Sequence, residues 1–181
     1  MKDDEVLIYA DESSTYRVKP TGGRSYQRIK RPKKIPARWQ TKGKVEIIAS
    51  YDIRNKKIIP CFNRSKKIVD FKKFIKRIFL RYQHYRKVFM VLDNFKTHKA
   101  KDLIKWLRIE NHLRKKQKKT VIQILYLPTY SPWLSPIEPI FGIMIRMVIK
   151  NSDYQSEKEM IQAIRTFFRN RNLNQKKTSN K

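Results

Sequence analysis

Residues 88–93, VFMVLD, form a continuous apolar run that ends in an acid, Asp93. An unbroken apolar run of this length is typical of a β-strand that is covered on both faces. Asp11 ends a similar run at 6–10, and Glu138 follows a third run within residues 127–141, LPTYSPWLSPIEPIF. An acid at the end of a buried strand adds little stability, but ligands gather where parallel strands end. The three acids therefore indicate a functional site.

The hydrophobic pattern around these runs predicts three early strands followed by alternating helices and strands. Strands are expected at 6–10, 44–51, 57–62, 88–92 and 121–127, and helices at 68–82, 98–113, 136–149 and around 160–168. This order predicts an α/β protein with a mixed five-stranded sheet and helices on both faces, which fits a ribonuclease H-like fold. The domain is expected to span 1–170, with a basic loop at 12–43, and residues 171–181 are expected to form a polar basic tail.

The charge of the chain indicates a polyanionic partner. Its 181 residues include 44 Lys and Arg against 15 Asp and Glu, which gives a net charge of +29 and a pI near 10.4. Because mixed charges would provide solubility with less self-repulsion, this imbalance favours a nucleic-acid partner over an anionic membrane or ribosome-like packing.

Other features of the composition predict a cytoplasmic protein associated with the nucleoid. The single cysteine, Cys61, excludes a disulfide framework and a cysteine-based zinc site, and it favours a reducing compartment. The first residues lack the order of a signal peptide. The longest apolar stretch, 137–149, is too short to span a bilayer, so no membrane partner is expected.

The three acids could together hold a divalent cation. Asp11 and Asp93 would end neighbouring parallel strands about 4.8 Å apart, and Glu138 would point to the same place from the first turn of a helix. Clustered carboxylates repel one another unless a cation neutralises them, and Mg²⁺ prefers oxygen ligands. Two such ions would suit phosphodiester chemistry.

Each acid also has an ordinary structural explanation. Asp11 could cap the following turn, and Asp93 with Asn94 could form a simple turn. Ser135 and Glu138 fit a capping box, with Ser135 as the N-cap, Pro136 at the first helical position and the glutamate at the third.

Four segments of the chain resemble the catalytic domain of DDE transposases of the mariner superfamily, in its prokaryotic insertion-sequence branch. They are ADES at 10–13, WQTKG at 39–43, LDN at 92–94 with His98, and LPTYSPWLSPIE at 127–138. The last segment is long and specific, whereas the acidic pair at 11–12 alone would be a weak signal.

This resemblance implies the activity, the cofactor and the partners of the chain. Asp11, Asp93 and Glu138 would be the catalytic residues and would hold two Mg²⁺ or Mn²⁺ ions. The reaction would be cleavage of a DNA strand by water, followed by attack of a 3′-hydroxyl on target DNA. Double-stranded DNA, as element ends and target, would be the partner, and a homodimer is expected. Glu12 and His98 are assigned no metal.

Three departures from the family pattern leave alternatives open. Ser135 stands where the family usually has Asn, and the interval from Asp93 to Glu138 is longer than usual, an excess that the run at 114–119 could absorb in a loop. Only five residues precede the first expected strand, so we expect the helix-turn-helix region that precedes the catalytic domain in the family to be absent from this chain. A separate or upstream DNA-reading region is a possible partner. The alternatives are a truncated DNA-binding remnant without catalysis, or another ribonuclease H-like nuclease.

Basic residues interleaved with aromatics predict DNA contacts in the 12–43 loop. The candidate DNA-binding residues are Arg24, Arg28, Lys30, Arg31, Lys33, Lys34, Arg38, Trp39, Lys42, Arg114, Lys115 and Lys116. The alternative for the loop is a solvated hairpin with Trp39 in the core, and the alternative for the later run is a solvated turn.

Overall fold

A mixed β-sheet with helices on both faces forms the centre of the chain in the computed structural model. The structure describes residues 2–24, 26, 30–31, 34–37, 40–63, 65, 67–93, 101–128 and 131–178. The strands are β1 (Glu5–Glu12), β2 (Tyr16–Arg17), β3 (Lys44–Asp52), β4 (Lys57–Asn63), β5 (Lys87–Leu92) and β6 (Val121–Tyr126). The helices are α1 (Ile68–Arg81), α2 (Lys101–Lys116), α3 (Glu138–Met144) and α4 (Glu157–Thr178), with a π-helical turn at Ile145–Ile149.

The strand order across the sheet is β4-β3-β1-β5-β6, and β2 extends the line of β1 along β3. β3 pairs antiparallel with both β1 and β4, whereas β1 with β5 and β5 with β6 are parallel. The predicted mixed sheet of five main strands is therefore confirmed. The two-residue β2 is a sixth strand, too short to leave a periodic signal in the sequence.

Alternation along the strands divides the core between the two faces of the sheet. On the first face, apolar side chains of β1, β5 and β6 pack against α1 and α2, and they include Val6, Ile8, Ala10, Val88, Met90, Leu92 and Ile122. On the second face, apolar side chains of β3 pack against α3 and α4, and they include Val45, Ile47 and Ala49. Because both faces are covered, the central strands are apolar on both sides, as the sequence pattern indicated.

The helices follow their apolar periodicity, but several ends differ from the prediction. In α1 the buried residues are Phe71, Phe74, Ile75, Ile78 and Phe79, spaced by three and four as expected. α2 is described from Lys101, so the start predicted at residue 98 lies outside the described residues. The basic run at 114–119 begins in the last turn of α2 and not in a loop. Cations are favourable at the C-terminal end of a helix because of the helix dipole.

The helix predicted at 136–149 begins later and is not capped by Ser135. α3 starts at Glu138 with Ile137 at its N-cap position, and no side-chain hydrogen bond caps it. Ser135 instead forms a turn, in which its carbonyl accepts the Glu138 N–H at 3.3 Å. Pro139 removes one of the N–H groups that a cap would satisfy, so this helix start tolerates the missing cap.

The predicted tail is helical as far as Thr178, since α4 docks on the free edge of β4. The Asn172 side chain accepts the Ile58 N–H at 2.9 Å and donates to the Ile58 carbonyl at 2.8 Å. Arg171 donates to the Lys56 carbonyl at 3.3 Å. Asn172 thus occupies the hydrogen-bonding groups that an additional strand would use, which protects an edge strand from pairing with other chains.

Hydrogen bonds fix the chain at both sides of residues 22–43 of the basic loop, one to the segment before α4 and one to the first residue of α4. Thr21 donates its N–H to the Ser152 carbonyl at 2.9 Å, and Lys44 donates its N–H to Glu157 Oε1 at 3.0 Å. Gly43 lies between these anchors with φ +137°, and a Cβ there would meet the Glu157 side chain, whose Cγ is 2.6 Å away. Only glycine combines this backbone conformation with this close approach.

Substitution of Asn172 by Ala is expected to lower the free energy of unfolding by about 1–3 kcal/mol, because two part-buried backbone groups of Ile58 lose their partners. Asn170→Ala is the matched control, since Asn170 is an exposed residue of the same helix. Chemical denaturation monitored by circular dichroism measures both variants. Equal stability of the two variants would contradict this role of Asn172.

Gly43→Ala is expected to destabilise the fold by roughly 1–3 kcal/mol through backbone strain and overlap with Glu157. Gly22→Ala serves as the control, because the nearest atom to a Cβ at that position is Ile35 Cδ1 at an ordinary 3.6 Å. Thermal unfolding should separate the two variants, and a Gly43→Ala protein as stable as Gly22→Ala would refute the argument.

Candidate active site

The parallel pairing of β1 with β5 brings Asp11 level with Asp93. The ladder pairs Val6 with Val88 and continues to Tyr9 with Val91, a constant offset of 82 residues. Asp11 and Asp93 each lie two residues beyond this last pair, so they have the same offset of 82. The two strands that lead to the aspartates are therefore neighbouring and parallel, as the sequence predicted, and neighbouring strands lie about 4.8 Å apart.

Both aspartates lie on the second face of the sheet. Asp11 is the cross-strand partner of Ala49, whose side chain belongs to the second core. Asp93 directly follows Leu92 of the first core, the last residue of β5, and continued strand alternation would place it on the second face. Both residues are half-buried, and Asp11 Oδ1 accepts the N–H of Glu12 at 2.7 Å.

The segment that leads to Glu138 starts beside Asp93 and ends on the same face as the aspartates. Leu127 donates its N–H to the Leu92 carbonyl at 2.8 Å as the chain leaves β6. Ile137 is fully buried in the second core, and Glu138 follows it as the exposed first residue of α3. The helix start is therefore fixed by an apolar anchor immediately before the acid.

The three acids do not form a closed cluster in this structure. Among the residues described, no three His, Cys, Asp or Glu side chains come close enough together to hold a metal ion. Asp11 and Asp93 come from two neighbouring strands, whereas Glu138 comes from a helix on the same face and its side chain is exposed. The carboxylate oxygens of the two aspartates are donors of the kind that Mg²⁺ prefers.

Apolar and aromatic side chains are exposed near these acids. Trp133 is 76% exposed between β6 and α3, and Leu134 beside it is 46% exposed. Tyr126, the last residue of β6, pairs with Leu92, and burial raises the pKa of its phenol above the ordinary value. The phenol therefore stays protonated at neutral pH and can donate a hydrogen bond.

The candidate DNA-binding residues fall into three groups: exposed residues, residues outside the described part of the chain, and one residue with partners inside the fold. Arg24, Lys30, Arg31, Lys34, Lys42, Lys115 and Lys116 are exposed. Arg28, Lys33, Arg38 and Trp39 lie outside the described residues, as do Asn94 and His98. Arg114 is engaged within the fold, since its Nε donates to Glu110 Oε1 at 3.0 Å and its guanidinium lies 3.7 Å from the centre of the Phe79 ring.

Sequence analysis missed four cations that the fold brings to one cavity: Lys57, Arg81, Arg165 and Arg169. They come from β4, α1 and α4, so no contiguous motif marks them. The only local signal is that the chain after Glu159 contains cations and no acid.

The described helices include none that is long and apolar enough to cross a membrane.

Comparisons with known proteins relate this chain to a protein of an insertion element. A protein of the insertion element IS630 from Shigella sonnei, described as an uncharacterised 39 kDa protein, is 22% identical over 146 residues, which cover 74% of this chain and 40% of that protein. This chain thus spans less than half the length of that relative.

Two solved structures show the same fold. The mariner Mos1 paired-end complex with magnesium has a TM-score of 0.64 at 17% identity, covering 90% of this chain and 48% of the Mos1 chain. The Mos1 strand transfer complex has a TM-score of 0.59 at 16% identity, covering 92% and 47%. These likenesses confirm the predicted ribonuclease H-like fold.

The model of the DDE superfamily endonuclease family matches residues 6–161. The match begins in β1, includes both strands that lead to the aspartates, and continues through α3 into α4. It confirms the resemblance inferred from the four sequence segments, and the chain belongs to the DDE superfamily endonucleases.

Proposed function

We propose that this chain is the catalytic unit of an insertion-sequence transposase, which cleaves DNA strands with divalent metal ions and joins a 3′-end to target DNA. The observation that carries the proposal is the parallel register of β1 and β5, since Asp11 and Asp93 follow its last pair, Tyr9 with Val91, at the same offset. The family match, the insertion-element relative and the basic charge support the same reaction.

In this proposal Asp11 and Asp93 hold a divalent ion, and Glu138 adds a third carboxylate from α3. Bound there, Mg²⁺ or Mn²⁺, with two ions expected, would supply the activation of a hydroxyl nucleophile and the neutralisation of phosphate charge. The protein's part is positional. The strand ends fix the two aspartates, and the buried Ile137 fixes the start of the helix that bears Glu138.

Double-stranded DNA is the proposed substrate, and the exposed cations of the basic loop would contact its phosphates. Arg24 lies where the loop is fixed, because its carbonyl accepts the Asn151 side-chain N–H at 2.8 Å. Lys42 is held by Gln155 Oε1 at 2.6 Å. Cations on a fixed loop base can position a DNA backbone without reading its bases.

The rest of the proposal concerns partners outside this chain. A homodimer and a separate DNA-reading region would supply recognition of the element ends, and nucleoid association would follow from DNA binding. The relative and the Mos1 chains contain additional length that could accommodate such a region.

A DNA-binding remnant without cleavage is the second candidate, and the exposed position of Glu138 outside a closed cluster favours it. This candidate predicts DNA binding and no metal-dependent nicking with any donor end. Another ribonuclease H-like nuclease would instead cleave RNA–DNA hybrids. Parallel assays on duplex DNA and on a hybrid therefore separate the three functions.

Asp93→Asn and Asp11→Asn are each expected to reduce Mg²⁺-dependent nicking of duplex DNA by roughly three orders of magnitude or more, since metal stabilisation of the reaction is worth several kcal/mol. Asp102→Asn is the matched control, because Asp102 is exposed in the first turn of α2. Nicking is measured on a supercoiled plasmid with Mg²⁺, with Mn²⁺ and with a chelator.

A thermal melt with and without Mg²⁺ gives a second readout that does not depend on activity. Mg²⁺ should raise the melting temperature of the wild type and of Asp102→Asn, because it relieves repulsion between Asp11 and Asp93. It should leave Asp93→Asn nearly unchanged. Full nicking by a folded Asp93→Asn protein would sink the assignment of the site.

Binding to duplex DNA is expected to depend steeply on salt and little on sequence. If eight phosphates are neutralised, the slope of log K against log salt concentration is about −7. Fluorescence anisotropy over a salt series, with two unrelated duplexes, measures both properties. A nearly flat salt dependence would argue against a nucleic-acid partner.

A further inference from the structure

A cavity with four cations in its lining lies at the outer edge of the sheet, between β4, the end of α1 and α4. Its volume is about 360 Å³, and its lining includes Lys57, Arg81, Arg165 and Arg169. We call this cavity with its four cations the cationic notch. None of its described lining residues is acidic.

Within the described residues none of the four notch cations forms an ion pair, whereas Arg54 pairs with Asp3 at 2.9 Å and Arg86 with Asp4 at 2.7 Å. Asp52 is the cross-strand partner of Lys57, but its carboxylate accepts hydrogen bonds from Asn55 and from the Tyr82 hydroxyl. Like charges around one cavity repel one another. Such a cluster is therefore stabilised by an anion that enters it.

The walls of the notch belong to packed elements. Phe168 lines the cavity and is only 1% exposed, and Asn172 links α4 to β4 through both backbone groups of Ile58. The Arg165 guanidinium lies 5.1 Å from the centre of the Phe62 ring. The cations are thus presented by a rigid frame, which lowers the entropic cost of binding a ligand.

We propose that the cationic notch binds backbone phosphates of a DNA duplex away from the phosphate that reacts. Arginine guanidinium groups match phosphate oxygens in a two-pronged geometry, and Lys57 adds a compact charge. Arg81, Arg165 and Arg169 are exposed, so a long polyanion can reach them from outside. The net charge of +29 favours DNA as that polyanion.

The sheet register sets the position of the notch relative to the two aspartates. Pro60 of the notch pairs with Ala49, and Ala49 pairs with Asp11. The notch edge is therefore two strand spacings, about 10 Å, from Asp11 across the sheet. A phosphate in the notch fixes the DNA on the protein and does not touch the reacting atoms.

Salt-dependent binding of a DNA duplex tests the notch with charge-matched variants of the full chain. Arg165→Gln/Arg169→Gln should make the slope of log K against log salt less negative by about 1.8, as expected for two lost phosphate contacts. Lys105→Gln/Arg108→Gln removes the same charge from the exposed side of α2 and should change it little. Arg165→Lys/Arg169→Lys should retain most of the wild-type slope.

A second pair of substitutions removes charge from the other wall. Lys57→Gln/Arg81→Gln leaves Phe62 and Phe168 untouched and should reduce the slope in the same way as the α4 pair. Circular dichroism melts establish that each variant is folded. If both notch variants fold and bind DNA with the slope of the α2 control, the proposal is wrong.

The position of the notch relative to the reaction rests on the proposed function. Nicking kinetics test the notch and the proposed function separately. The notch variants should raise the DNA concentration for half-maximal nicking by about tenfold or more, and leave the rate at saturating DNA unchanged. If the wild type never nicks DNA but both notch variants show a weaker salt dependence of binding, the notch proposal stands and the transposase activity is refuted. Normal nicking with unchanged half-saturation would refute the notch alone.

Discussion

The parallel pairing of β1 with β5 is the interaction on which the candidate site depends. Val6, Ile8 and Ala10 face the first core together with alternate residues of β5, so a slip by one residue would turn an apolar set away from α1 and α2. The same register carries β1 and β5 to Asp11 and Asp93 at the same offset. The hydrophobic core therefore fixes where the two strands deliver their aspartates.

The acids of the candidate site differ in their contacts from the acids elsewhere in the chain. Most acids outside the candidate site stabilise the fold, as Asp52 does by accepting the Tyr82 hydroxyl at 3.0 Å and Glu157 by accepting the Lys44 N–H. Burial, together with the charge of Asp52, raises the pKa of Tyr82, so its hydroxyl remains a donor. The Glu138 carboxylate has no such partner within the described residues and remains available for a ligand.

Hydrophobic periodicity predicted the helices and strands whose bounds depend on local burial. It did not predict features that depend on contacts between distant parts of the sequence. The apolar spacing of α1 and the apolar runs of β1 and β5 gave their elements to within a few residues, because burial alone fixes them. The end of α4 was not predictable, since its last turns depend on Asn172 meeting Ile58 over 100 residues away. The cationic notch was missed for the same reason.

The segment from Ser135 to Glu138 matches the sequence pattern of a capping box but does not form one in the structure. Ser135 is buried and does not cap the helix, and Ile137 in the core takes the N-cap position instead. A capping glutamate would be held by a backbone N–H, whereas Glu138 is left with an exposed carboxylate at the positive end of its helix. That end offsets part of the repulsion from two aspartates on the same face. A helix start held by an apolar anchor rather than by its own acid can therefore present that acid to a metal ion.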